Sequence, residues 1–232
     1  MSIAKNLLKV KIIEKSLGIQ IKNENIWLEA ITHKSWLFFH PKIKIPNNER
    51  LEFLGDALLQ TITSLFLYNN FTDLDEGDLT LIRSKLVNRQ RLGEIAEKLG
   101  IDKFMLVSNN LDKKGKKTIL GNTLEAIIGA LFLDQGWEAT KKFVEEKILN
   151  KAQEIVDKHS YKDPKSFLQE ITQAKFGKLP IYRLKDISGP AHKRKFKTEV
   201  YLDDQLIGEG EGDSKQASEF KAALNSIKKI KL

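Results

Sequence analysis

Apolar side chains recur every three or four positions through the first two thirds of the chain, and this spacing predicts one helix after another. Ile3–Leu17 is the first and stops before Gly18, a residue suited to the left-handed conformation that closes a helix. Asn25–Thr32 is the second, and the polar stretch Pro41–Asn48 separates it from a long helix running from about Asn48 to Tyr68. Asp75 caps a helix whose first turn holds Glu76 and Asp78 and which ends near Leu86. Asn88–Leu99 stops at Gly100, and Asn109–Lys117 reads as a loop. Ile119–Leu133 is apolar on nearly every side, which places it in a core, and Trp137–Lys158 closes the series as an amphipathic helix. No strand alternation interrupts this part, so it is predicted to be all-α.

Beyond His159 the period changes. Asp163-Pro164-Lys165 opens a helix reaching about Lys175, with proline at an early position where a missing N–H costs little. Alternation of period two then takes over at Ile181–Leu184, Phe196–Leu202 and Gln205–Gly208, with Asp203-Asp204 as a tight hairpin between the last two. Ser214 caps a final helix to about Lys229. The order α-β-β-β-α predicts a small α+β domain. Two domains are therefore expected, over residues 1–156 and 162–231, joined by the polar stretch Asp157–Lys162.

The 232 residues suffice for two cores of their own. A net charge of +8 favours a polyanionic partner, and the segment after residue 156 is the more basic per residue. There is no cysteine, which excludes disulfides and thiolate chemistry and allows a reducing compartment. The N-terminal stretch alternates lysine with apolar residues and does not read as a signal peptide. The run Ala126–Leu133 is far below the ~20 residues of a membrane span, so a cytoplasmic protein with no membrane partner is expected.

Candidate chemistry lies on two helices. Glu49, Glu52 and Asp56 follow an i, i+3, i+7 spacing, which puts them within roughly a 60° arc of one face at ~3.6 residues per turn. An ordinary amphipathic helix with a solvated acidic face would look the same. Glu125 breaks the tie, because it sits in the core-type segment with Asn122 one turn earlier and no basic residue inside that segment. If the two helices face each other, Glu52, Asp56 and Glu125 converge with the Asn122 amide oxygen beside them. Their mutual repulsion is tolerable with a divalent cation between them, and oxygen-only donors select Mg²⁺ or Mn²⁺ over zinc.

ERLEFLGDALL (50–59 and its preceding Glu49) resembles the signature of the ribonuclease III family, and LEAITHKSW at 28–36, EGDLTLIRSKLVN at 76–88 and GNTLEAIIGALFLDQGW at 121–137 follow in that family's order. The resemblance covers nearly the whole chain. It implies an all-α endonuclease domain that hydrolyses double-stranded RNA with Mg²⁺, leaving 5′-phosphate and 3′-hydroxyl ends with short 3′ overhangs, in ribosomal and messenger RNA processing. Glu52, Asp56, Asn122 and Glu125 would hold the metal, with Asp56 and Glu125 closest to the chemistry, and no small-molecule cofactor is implied. It also implies a homodimer in which Phe53 inserts into a pocket of the partner, although Phe53 could equally belong to the core. The family usually has Asp where this chain has Asn122, so the site lacks one negative charge. Two readings follow: a variant that still cleaves, or a double-stranded-RNA-binding protein whose activity Asn122 weakens or stops.

The tail is similar to a double-stranded RNA-binding domain, through DPKSFLQE, PIYR, GPAH and SKQASEFKAA. Such domains read A-form shape across two minor grooves and the phosphates between them. By that resemblance Gln169 and Glu170 contact one minor groove, Pro190 and His192 the next with Lys193 nearby, and Lys215 the phosphates. Gln216 stands where the family usually has a second basic residue, which implies a shallower salt dependence. Of the smaller signals, His33 is expected to be structural and Glu76 to cap its helix. Arg83, Lys85, Arg89, Arg91 and the KKGKK run (113–117) are open either to an RNA path or to simple solvation.

Overall fold

The computed structural model describes residues 3–108 and 113–230, and the chain divides into two compact units between Lys158 and His159. Among the described residues the first unit is helical throughout: α1 (Ile3–Leu17), α2 (Glu24–Ala30), α3 (Lys34–Phe38), α4 (Glu49–Asn70), α5 (Glu76–Leu86), α6 (Arg89–Lys98), α7 (Lys113–Gln135), α8 (Trp137–Lys147) and α9 (Ala152–Asp157). Side-chain caps fix several starts. Asn25 N–H donates to Asn23, Asp78 N–H to Asp75 at 2.8 Å, and Arg91 N–H to Asn88 at 2.9 Å.

The apolar segment becomes the hub. Every residue of α7 from Ala126 to Leu131 is buried, and α2, α4, α6 and α8 all pack against this helix. Glycine sets how closely two of them approach. A Cβ on Gly55 of α4 would lie 1.7 Å from the Glu125 carbonyl oxygen, and one on Gly129 of α7 would lie 2.4 Å from that of Leu51. The two helices therefore touch backbone to backbone. α6 crosses α7 the same way, with Gly93 facing the Lys117 carbonyl at 2.5 Å. At the far end of α7, Asp134 accepts hydrogen bonds from Lys22 N–H (3.1 Å), Asn23 N–H (2.8 Å) and the Trp27 indole (3.1 Å), which clips the α1–α2 turn to the hub.

Three expectations change. Lys113–Lys117 is the first part of α7 and not a loop; residues 109–112 of the expected loop lie outside the described residues. Lys117 bonds Glu94 of α6 at 2.9 Å, a cross-helix anchor that lets the helix begin early despite Gly115. The closing helix expected over Trp137–Lys158 is broken into α8 and α9, because Ile148 and Leu149 turn inward and are buried. The short α3 was not expected at all.

The second unit holds α10 (Pro164–Phe176), β1 (Ile181–Ser188), β2 (Lys195–Leu202), β3 (Gln205–Gly212) and α11 (Lys215–Ile230). The sheet is antiparallel in the order β1-β2-β3, and Asp203 takes a positive φ of 52° in the two-residue turn. β1 runs four residues beyond its expected end, with a register shift between Leu184 and Asp186 that hides the alternation. Leu168, Val200, Ile207, Ala222 and Ala223 form the core, each large side chain contributing roughly 1.5–3 kcal/mol by burial. α11 lies directly on the main chain of β3: a Cβ on Gly210 would meet Ala222 N at 2.2 Å. Among the described residues no helix is long and apolar enough to cross a membrane.

Candidate active site and nucleic-acid interface

Asn48 precedes α4 and is buried, but its side chain does not cap the helix; its Nδ2 donates to Ala30 O at 3.3 Å instead. The free amides of the first turn favour acidic side chains there, and Glu49 and Glu52 occupy it. Glu49 is drawn away by Lys34, whose ammonium lies 2.8 Å from it. Glu52 lies on the side of α4 that faces α7, near enough to Asn122 for that side chain to lower its carboxyl. Burial pushes the Glu52 carboxyl up, and the Asn122 amide only partly opposes this.

Glu125 shows the strongest perturbation in the unit. Burial, then the charges of Asp56 and Glu52, push it up to about 7, and Arg89 at the start of α6 pulls the other way. Glu52, Asp56, Asn122 and Glu125 are thus brought together by the contact of α4 with α7. The core-type segment around Glu125 suggests a dry site, and the structure shows a partly wet one. Asp56 is exposed, and Glu52, Asn122 and Glu125 are half-buried. The reason lies in α4 itself, whose outer face also leaves Phe53 80% exposed together with Leu65 and Tyr68. Among the described residues no three His, Asp or Glu side chains are grouped closely enough to hold one ion as they stand.

Other residues singled out in the sequence hold the scaffold. His33 caps α3, accepting from Ser35 N–H at 3.2 Å, and burial pushes its imidazole down. Arg83 donates to Ser64 Oγ at 2.8 Å, and the half-buried Arg91 reaches Ile148 O at 3.5 Å. Asp75 is the cap of α5, and Glu76 beside it accepts from Thr80 Oγ1 at 3.2 Å. The residues that sequence reasoning missed are Gly55 and Gly129. Their one signal is a glycine inside each of two long helices, where it costs ~1 kcal/mol unless a close approach requires it.

In the second unit Gln169 and Glu170 are exposed on α10, and Glu170 pairs with Lys162 at 2.7 Å. Pro190, His192 and Lys193 are exposed in the β1–β2 connection, where Gly189 takes a φ of 85° and a Cβ would meet Lys193 O at 2.6 Å. Lys215 is exposed at the N-terminus of α11, 4.0 Å from Glu219, and Ser214 caps that helix through Ala217 N–H at 3.1 Å.

Comparison with known proteins agrees with both halves. The Ribonuclease-III-like family model matches residues 23–152, and the double-stranded RNA binding motif matches residues 164–230. Ribonuclease 3 of Dehalococcoides mccartyi is 38% identical over 221 residues, spanning 94% of this chain and 93% of that protein. Ribonuclease 3 of Enterococcus faecalis is 39% identical over 221 residues, spanning 94% and 96%. Among solved structures, the nuclease domain of ribonuclease III from Campylobacter jejuni is 38% identical with a TM-score of 0.53, covering 61% of this chain and 94% of that one. A helical domain that brings acids from two helices together, followed by an RNA-binding fold and matched over 94% of its length by such relatives, is a member of the ribonuclease III family.

Proposed function

We propose that this chain is an endoribonuclease that hydrolyses phosphodiester bonds of double-stranded RNA. The observation that carries the reading is the meeting of Glu52, Asp56 and Glu125 at the glycine contact of α4 with α7, in a chain that also holds a double-stranded RNA binding motif. Relatives named as ribonucleases along the same length favour cleavage over a silent binding protein.

A divalent cation fits this site in kind. The donors are all oxygens, and Glu125 carries negative charge that Arg89 offsets only in part. Glu52, Asp56, Asn122 and Glu125 would hold Mg²⁺, or Mn²⁺ in its place. When bound, the ion supplies Lewis-acid stabilisation of charge developing on the phosphate and an activated water.

Phe53 and its apolar neighbours support a homodimer. A cavity of about 630 Å³ between α4 and α5, with Leu65, Leu67, Tyr68, Leu74 and Leu79 as its apolar wall and Ser64, Glu76, Thr80 and Arg83 as its polar one, would take an aromatic ring of a second copy. The Campylobacter jejuni nuclease domain is itself described as having a region involved in dimer formation. Two sites per dimer would cut opposite strands and leave 5′-phosphate, 3′-hydroxyl ends with short overhangs. Gln169, Glu170, Pro190, His192, Lys193 and Lys215 would grip the duplex, in a cytoplasmic enzyme acting on ribosomal and messenger precursors.

The test is cleavage of a long RNA duplex with Mg²⁺ and with EDTA, run on this chain and on Asn122→Asp. Short duplexes with Mg²⁺ alone are expected from both, with the substituted protein saturating at lower Mg²⁺. Intact duplex from this chain and cleavage only by Asn122→Asp would refute the proposal.

A further inference from the structure

We propose that Lys165 and Glu219 are positioning residues that keep Lys215 available to an RNA phosphate, an inference that rests on the reading of the second unit as the grip on the duplex. Glu219 lies one turn after Lys215 on α11, at the i, i+4 spacing where an ammonium and a carboxylate meet. Left to themselves the two would close, and a phosphate would then have to compete for Lys215. They stand 4.0 Å apart, because the carboxylate is already taken. Lys165 at the start of α10 reaches its other oxygen at 2.5 Å, in a pair that leaves the Glu219 side chain only 15% exposed while Lys215 stays open to solvent.

Three elements hold this arrangement. The ring of Tyr182 on β1 faces the Lys165 ammonium, 4.8 Å from its centroid, and so directs it across to α11. Asp163, a second carboxylate at the start of α10, is engaged by the helix itself: it accepts from Lys165 N–H at 3.0 Å and Ser166 N–H at 3.1 Å. Ser218, beside Glu219, is fully buried and bonds Thr198 of β2 at 2.7 Å, which fixes this turn of α11 on the sheet. Gln216 leaves Lys215 as the one cation in the first turn of α11, so the freedom of that single ammonium weighs heavily. Lys165 thus serves RNA binding by occupying an acid, without touching the duplex.

The experiment measures binding of the full chain to a labelled RNA duplex in EDTA, from about 50 to about 200 mM salt, for the unaltered protein, Lys165→Met, Glu219→Gln and the two substitutions together. Each phosphate contact contributes a slope of about 0.9 in log K against log[salt]. Lys165→Met releases Glu219 to draw Lys215 in, so the slope should flatten by up to about 0.9 and the unaltered protein's advantage should shrink by up to roughly threefold across that range. Adding Glu219→Gln to the same chain removes the acid and should restore both slope and affinity, a recovery that neither a lost RNA contact of Lys165 nor a broken structural bridge would give. Glu219→Gln alone should bind at least as tightly as the unaltered protein. A Lys165→Met slope equal to the unaltered one, or a flattened slope that Glu219→Gln leaves flat, would overturn the proposal while leaving the duplex grip intact. Weaker binding by Glu219→Gln alone would do the same. An unaltered chain that does not bind duplex would overturn the reading on which the proposal rests.

Discussion

Glu125 is the group whose replacement says most about the site. In the metal-free protein its carboxyl sits at about 7 against an ordinary 4.5, so the folded state holds that proton more tightly than the unfolded chain. Below about 4.5 the group is protonated in both states and costs nothing. As pH rises through about 7 it ionises in the folded state as well, and the penalty is then complete. At ~1.4 kcal/mol per pH unit the ceiling is ~3 kcal/mol, and contact with water at the open cleft reduces this to roughly 1–2 kcal/mol. Glu125→Gln keeps the shape and removes the charge. In EDTA at pH 8 it should therefore be more stable than the unaltered protein by roughly 1–2 kcal/mol, or a few degrees in Tm, while its RNA cleavage is abolished. At pH 4.5 the difference should vanish, and at pH 8 added Mg²⁺ should narrow it by stabilising the unaltered protein more. Tryptophan fluorescence is the suitable signal, because all three tryptophans (Trp27, Trp36 and Trp137) lie in the first unit. Equal stabilities at pH 8, or a gain that persists unchanged at pH 4.5, would refute the claim that this acid is held at electrostatic cost.

Three further outcomes are expected. Gly55→Ala drives a methyl group into the Glu125 carbonyl, 1.7 Å from its ideal position, and should cost more than the ~3 kcal/mol typical of overpacking; the tryptophan melt and the cleavage rate should fall together. Asp134→Ala removes the acceptor of two backbone amides and the Trp27 indole and should cost ~1–3 kcal/mol at pH 7. Burial pushes the Asp134 carboxyl up, but its hydrogen bonds win and hold it below 3.8; its contribution is thus present above that pH and fades as acid titrates the folded form, which urea melts from pH 7 down to 2 would follow. Gln216→Lys places a second ammonium beside Lys215 at the exposed start of α11; duplex affinity at 50 mM salt should rise and the salt slope should steepen by about 0.9, as read by gel shift.

The helical series was legible because the period of three to four is long and repeated, and because Asp75 and Asn88 are side-chain caps that can be read directly. The convergence of Glu52, Asp56 and Glu125 was legible from one acid stranded in an apolar segment. How wet that meeting place is could not be read, since apolar periodicity does not distinguish a face covered within the chain from one left open, as Phe53 and Tyr68 are. The break after α8 carries no proline or glycine, and its cause is the burial of Ile148 and Leu149 against other helices. The early start of α7 depends on Lys117 finding Glu94 on another helix. β1 looked short because a bulge at Lys185 reverses which side chains face which way.

The contact between Gly55 and Gly129 makes the gap between the acid-bearing helices a dimension of the peptide unit itself. Drift in the surrounding hydrophobic residues can loosen or tighten the bundle, yet it has no lever with which to widen that gap by a fraction of an ångström. If the proposed ion is held there, tuning which radius it prefers falls to side-chain identity alone. Residue 122, where an amide stands opposite Glu52, is the dial that remains free to turn.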